Sequence, residues 1–241
     1  MEIRIDSLLE GAEGATGSVA IIDVFRAFTT AAVALANGAA AIVMVGTVDE
    51  ALSLRERGVG QVCMGEVRGR APQGFDFGNS PFEVSQAKLL GKTIIQRTGA
   101  GTQGIVAARS ADRLYAASLV TASATARALL SGSPARITLV AMGNNAVQRT
   151  DEDELCAIHL RNLLEGRPGN PEAIRQVILA GGEIAHFADP QRPYHPRDLE
   201  IALDIDRYDF AIRVLMEDGR PIARVEYPAG QSPPPITVRA K

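Results

Sequence analysis

A chain of 241 residues, 46% hydrophobic and 22% charged, has the composition of an ordinary globular protein and enough apolar material for one well-packed domain. Its 25 lysines and arginines against 28 acidic residues leave a net charge of -3, which argues against a nucleic-acid or general polyanion binder, so any anion site has to be local. No run approaches the ~20 apolar residues of a membrane span, and Met1-Glu2-Ile3-Arg4-Ile5-Asp6 lacks the basic start and apolar stretch of a signal peptide.

Short apolar runs alternate with longer helical patterns. Val19 to Val24 reads as a buried strand, and the Ala-rich run from Arg26 to Asn37 reads as a helix closed by Gly38. Ala41 to Val45 is strand-like, Val48 to Arg57 an amphipathic helix, and Gln61 to Gly65 a further strand. Ser80-Pro81 then starts a helix, with Ser as cap, Pro in the first turn and Glu83 completing a capping box. Lys92 to Arg97 reads as a strand and Thr102 to Ala108 as a helix; Leu114–Ala117, Ala122–Leu130 and Ile137–Met142 continue the alternation. Glu152 to Leu164 and Pro171 to Ala180 are helices, each followed by glycine. Phe210–Leu215 and Pro221–Val225 flank Glu-Asp-Gly, a hairpin signal. The pattern predicts a three-layer α/β/α fold, a mostly parallel sheet with helices on both faces and a C-terminal β-hairpin. Residues 1–227 form a single domain, followed by a Pro-rich tail at 228–241. The apolar hairpin also offers a surface on which a second copy could pair as a homodimer. Cys63 and Cys156 lack metal-type spacing and read as reduced, buried thiols of a cytoplasmic protein.

In open α/β sheets, ligands collect beyond the carboxyl ends of the strands. The residues expected there are Asp23, Arg26, Thr29 and Thr30, then Glu66 with a long loop, then Thr98-Gly99-Ala100-Gly101-Thr102, and last Gly143-Asn144-Asn145 with the acidic run Asp151 to Glu154. Asp23 is either an N-cap for the following helix or an oxygen ligand for Mg²⁺. Arg26 in a first helical turn opposes the macrodipole, which an anionic partner would explain better than a solvated face. The 98–102 turn is either structural or a phosphate cradle of backbone N–H groups. The acidic run reads at Asp151 and Glu154 as charges favouring a helix start. The loop after Glu66, with Arg68, Arg70, Asp76, Asn79 and Ser80 between glycines, is long for a structureless connection and reads as functional. His159, His186 and His195 have no ligand spacing. Cys-x5-Arg, Asp-x-Asp, Walker and dinucleotide patterns are all missing from the sequence, which disfavours thiolate, aspartyl-phosphate and nucleotide-cofactor chemistry.

The ordered set Ile22-Asp23-Val24-Phe25-Arg26-Ala27-Phe28-Thr29-Thr30, Gly65-Glu66, Gly74-Phe75-Asp76-Phe77-Gly78-Asn79-Ser80-Pro81, Thr98 to Thr102, Glu152 to Ala157 and Asp206 to Phe210 resembles the 2-phosphosulfolactate phosphatase family across nearly the whole chain. The resemblance implies an α/β/α fold, Mg²⁺, and removal of phosphate from a sulfonated lactate on the way to coenzyme M. Two departures touch the substrate contacts: Glu66-Val67-Arg68-Gly69 displaces an Arg that the family commonly carries one position earlier, and Ala100 stands where the family often has Asn. Read together with the residues, it assigns Asp23 and Glu66, with Glu152 or Asp153, to the metal. Arg26, Thr29, Thr98, Gly99, Gly101 and Thr102 fall to the phosphoryl group, Arg68 or Arg70 to a second anionic group, and Asn79 and Ser80 to orienting substrate or water; Asp23 and Ser80 are the nucleophile candidates. The expected partner is a small anionic phosphorylated substrate, with no nucleic acid and no membrane. The rivals are a phosphatase for another small phospho-acid and a non-catalytic anion sensor, which would not need both Asp23 and Glu66.

Overall fold

β-Branched and apolar runs with no polar interruption are stable only as strands covered on both faces, and the computed structural model, which describes residues 1–189 and 194–227, places them so. The strands are β1 (Glu2–Ser7), β2 (Gly17–Ile22), β3 (Ala41–Met44), β4 (Val62–Gly65), β5 (Thr93–Arg97), β6 (Ala111–Ala117), β7 (Arg136–Ala141), β8 (Ala211–Glu217) and β9 (Arg220–Glu226). They pair into one sheet in the order β1-β7-β2-β6-β8-β9-β3-β5-β4. Two all-parallel blocks, β1-β7-β2-β6 and β3-β5-β4, are joined by the antiparallel hairpin β8-β9. Its turn residues Asp218 and Gly219 both have positive φ, 48° and 75°, as a tight hairpin turn requires.

The expected α/β class, the mostly parallel sheet and the hairpin are therefore all present. The hairpin's position is the surprise. β8 pairs with β6 and β9 pairs with β3, so both of its edges are filled from within the chain and neither is open to a strand of a second copy. A second copy could therefore meet the hairpin only through its face, not by adding a strand to it. The Pro-rich tail at 228–241 lies outside the described residues.

Helices cover both faces: α1 (Leu8–Glu13), α2 (Ala27–Ala36), α3 (Val48–Glu56), α4 (Pro81–Ser85), α5 (Gly101–Ala107), α6 (Ala122–Leu130), α7 (Asp151–Leu164), α8 (Pro171–Leu179), α9 (Ala185–Ala188) and α10 (Pro196–Ala202). Side-chain alternation along the strands separates the two faces. Val19 and Ile21 of β2, Ile42 and Met44 of β3, Met64 of β4 and Ile94 of β5 share one cluster with Phe28, Ala31 and Leu35 of α2. Ala20 and Ile22 turn the other way, onto Leu129 of α6 and Leu160 of α7. Val43, Cys63 and Ile95 face α3 through Ala51 and Leu54.

α2 is buried along its whole run from Ala27 to Leu35, as a helix apolar on every side must be. The sheet bends around it. β2 and β5 stand five places apart, roughly 24 Å across a flat sheet at ~4.8 Å per strand. Yet Gly101 N–H, four residues beyond β5, donates to Asp23 directly after β2 at 2.8 Å. That curvature brings the carboxyl ends of both parallel blocks to one place.

Candidate active site

Where the strand ends converge lies a cavity of about 510 Å³. Asp23, Arg26, Glu66, Arg68, Arg70, Asn79 and Gly99 line it, together with Asn144, Asn145, Asp189 and Tyr194. Three guanidinium groups and three carboxylates thus face one space, drawn from loops far apart in sequence.

The carboxylates are held by backbone. Asp23 Oδ1 accepts from Ala27 N–H at 2.9 Å, the first turn of α2, and Oδ2 accepts from Gly101 N–H. Glu66 Oε2 accepts from Gly69 N–H at 2.6 Å and Oε1 from Gly99 N–H at 2.5 Å. The glycine turn after β5 therefore spends its N–H groups at 99 and 101 on the two carboxylates rather than on an anion. Glycine is required there because a Cβ at 101 would lie 2.8 Å from Asp23 Oδ2 and 2.9 Å from the Phe28 ring. Burial pushes the Asp23 carboxyl up to about 6; the N–H bonds from Ala27 and Gly101 pull it down, the Glu66 charge adds to the rise and the Arg26 charge opposes it.

The donor chemistry at Asp23 and Glu66 fits a hard divalent cation. Each carboxylate oxygen takes one N–H and keeps a lone pair, and two negative groups on one wall repel each other until a cation separates them. Among the described residues, no group of three or more His, Cys, Asp or Glu side chains is spaced to hold a metal unaided. A cation at Asp23 and Glu66 would complete its shell with water and substrate oxygens, as Mg²⁺ does.

Arg26 is held differently. Its guanidinium is buried, donates from Nη1 to Asp198 Oδ2 at 2.5 Å and lies 3.9 Å over the ring of Tyr194. Asp198 is on α10 and wholly buried.

The remaining sequence candidates fall behind the cavity wall. Ser80 caps α4, accepting from Glu83 N–H at 3.2 Å, while its hydroxyl donates to Asp198 Oδ1 at 2.7 Å. Its oxygen is thereby engaged on both sides, which does not suit a nucleophile. Thr29 donates to the Val24 carbonyl. Thr98 and Thr102 bond each other's backbone and side chains, at 2.8 Å from Thr98 N–H to Thr102 Oγ1, and so brace the glycine turn. Asp153 accepts from Val24 N–H at 2.7 Å and Gly143 N–H at 2.8 Å, a clasp between the ends of β2 and β7. Burial, with the charges of Glu152 and Asp23, pushes its carboxyl well above the ordinary carboxylate range. Glu152 faces a smaller adjoining space of about 30 Å³ with Thr150, Glu183 and His186, which shares Phe25, Gly143, Asn144 and Tyr194 with the main cavity. Burial raises Glu152 to about 7, and its Oε2 has no hydrogen-bond partner among the described residues. His159 is buried in α7 and lines neither space.

Sequence reasoning missed Asp198, Asp189 and Tyr194. The signal at 198 was only His195-Pro196-Arg197-Asp198, a helix start with an acidic third residue, and Asp198 does complete that cap. Its other partners are 172, 118 and 116 residues away, beyond any local pattern.

The model of a family described as 2-phosphosulpholactate phosphatase matches residues 5–187. Among curated relatives, a Bacillus subtilis protein named as a probable 2-phosphosulfolactate phosphatase is 33% identical over 83% of this chain and 87% of its own length. A Synechococcus protein of the same name is 37% identical over 81% and 88%. A Thermotoga petrophila protein, also so named, is 44% identical over 52% of this chain and 53% of its own, so the match spans about half of that relative. On the family match, with Asp23, Arg26 and Glu66 all within its span, the chain belongs to the 2-phosphosulpholactate phosphatase family.

Proposed function

We propose that this protein is a Mg²⁺-dependent phosphatase that hydrolyses 2-phosphosulfolactate to sulfolactate and inorganic phosphate. One observation carries the reading: Asp23 and Glu66 line one cavity with Arg26, Arg68 and Arg70. An anion sensor needs the guanidinium groups alone, whereas a hydrolase of a phosphate ester gains from carboxylates that hold a cation.

Asp23 and Glu66 supply the oxygen ligands; bound Mg²⁺ supplies positive charge beside the phosphoryl oxygens and lowers the pKa of its water. Arg26 takes phosphoryl oxygens with its buried guanidinium, where charge-assisted bonds are strongest. Arg68 and Arg70, on the loop after β4, meet the sulfonate or carboxylate. Asn79, whose Oδ1 is buried without a partner among the described residues, orients water or a substrate hydroxyl. The burial of Asp23 and Arg26 keeps bulk water from screening these charges.

No helix of the described residues is long and apolar enough to cross a membrane. Cys63 and Cys156 are both buried free thiols, which supports a reducing, cytoplasmic compartment.

The test is phosphate release from phosphosulfolactate and from phospholactate, with Mg²⁺ and with chelator. Metal-dependent turnover that favours the sulfonate is expected. Equal turnover of both esters would keep the phosphatase and remove the sulfonate preference; no turnover of either would leave the sensor reading.

A further inference from the structure

Asp198 is unusual for a residue so close to a reaction space. It is wholly buried, and its two oxygens take four donors: Arg26 Nη1 at 2.5 Å, Ser80 Oγ at 2.7 Å, Phe82 N–H at 3.0 Å and His195 N–H at 3.2 Å. Three of these hold the carboxylate in place without Arg26, which supplies the balancing charge to a group already fixed. The Ser80 hydroxyl and the Phe82 N–H tie it to the start of α4, and the His195 N–H ties it to the start of α10.

Asp198 and Tyr194 act on Arg26 in complementary ways. A planar guanidinium beside one carboxylate can still rotate about the contact, and one lying on a ring can still slide across its face. Together they remove both freedoms: Asp198 fixes an edge and Tyr194, 3.9 Å below, fixes the plane. Among the described residues, Asp198 is the one hydrogen-bond acceptor recorded for Arg26. A guanidinium carries five N–H donors, so most of them are left for a ligand in the cavity that Arg26 lines.

We propose that Asp198 is a positioning residue which, held by Ser80 and aided by the Tyr194 ring, presets the Arg26 guanidinium for an incoming phosphoryl group. The pair is then more than a structural ion bridge, because a donor oriented before substrate arrives needs no reorganisation when charge develops. The assignment also gives Ser80 a role: its hydroxyl holds the holder. The inference rests on the phosphatase reading for the identity of the anion, but the slot formed by Asp198 and Tyr194 is defined by geometry alone.

Removing the arginine side chain and offering free guanidinium tests the slot. Arg26→Ala should lower kcat/KM on the phosphate ester by about a hundredfold or more. Guanidinium chloride below its denaturing range should then restore activity about tenfold, by occupying the space beside Asp198. The double variant Arg26→Ala/Asp198→Asn, which leaves no unpaired buried charge, should show no rescue. Thermal unfolding provides a readout that needs no turnover: guanidinium should raise the Tm of Arg26→Ala while lowering that of the wild type and the double variant. Equal rescue of single and double variants, or no rise in Tm for Arg26→Ala, would overturn the proposal. If the wild type hydrolyses no phosphate ester, the functional reading fails, and the Tm measurement still decides the slot.

Discussion

The carboxylate wall and the guanidinium wall of the cavity are built by opposite means. Asp23 and Glu66 each rest on two backbone N–H groups, from Ala27 and Gly101 and from Gly69 and Gly99. Arg26 rests on side chains alone, the Asp198 carboxylate and the Tyr194 ring. Backbone donors cannot be mutated away, but at Gly99 and Gly101 they leave no room for a Cβ. Side-chain acceptors such as the Asp198 carboxylate leave the backbone free, yet fail with the loss of a single functional group. The first wall should therefore break through glycine substitutions that touch no charge, and the second through exchanges far away in sequence.

The sharpest break is Asp23→Asn. An amide offers one acceptor oxygen where two N–H groups wait, and it removes the charge a cation needs. Turnover should fall by about 10²–10³-fold, and calorimetry should record no Mg²⁺ binding. A variant that kept both would remove Asp23 from the metal site and with it the carboxylate wall. Next comes Gly101→Ala, which changes no charge. Its Cβ would press on Asp23 Oδ2 at 2.8 Å and on Ala27 and Phe28 at 2.9 Å, all buried. Denaturant unfolding should register a loss of about 1–3 kcal/mol, as for overpacked cores. Metal affinity should weaken with it, because the displaced group is the carboxylate itself. Unchanged stability and unchanged metal affinity together would mean that the glycine turn does not set Asp23.

The same contrast explains what could be read from the sequence. Asp23, Glu66 and Gly99 sit within two residues of strand ends, and strand ends follow from local apolar runs bounded by glycine and polar residues. The register of helices held for the same reason: Ala122–Leu130 forms where its pattern placed it, and Ser80 caps α4 as Ser-Pro-x-Glu predicts. Asp198 and Tyr194 were illegible because what makes them important is a guanidinium more than 160 residues upstream. The hairpin was legible as a hairpin but not as the splice between two parallel blocks, since strand order is set by which faces remain to be covered. Thr29, Thr98 and Thr102 were correctly placed near the rim by the same local logic. Only their hydrogen bonds reveal that they brace it from behind.

Glu152 belongs to neither wall and sharpens the comparison from outside. Its Oε2 is buried with no donor among the described residues, and burial raises its pKa from 4.5 to about 7. Over that interval the folded protein keeps a proton that the unfolded chain has released. The stabilising contribution is therefore full below about 4.5 and is lost as the pH rises through about 7. Glu152→Gln, neutral throughout, should flatten this decline and leave the variant more stable than wild type by about 2 kcal/mol above neutrality. Urea melts of metal-free protein across the interval measure it; parallel curves for the two proteins would show that Glu152 ionises freely.

The smallest effect is expected where the cavity opens. Arg68 is exposed and sits at a positive φ of 52°, and Arg70 follows on the same loop. An exposed guanidinium binds an anion through a screened field, worth about 1 kcal/mol or less. If these residues meet the substrate's second anionic group, Arg68→Ala and Arg70→Ala should each raise KM for phosphosulfolactate by about fivefold or less. Their kcat should stay nearly unchanged, because the lost contact is the same in the ground and transition states. On a phosphomonoester that has no second anion, both variants should behave as wild type. Such a result would separate the loop from the two walls, recognition lying in the first and reaction in the second. A large fall in kcat on the plain ester would instead make one of these arginines part of the guanidinium wall, and Arg26 would no longer stand alone against the phosphoryl group.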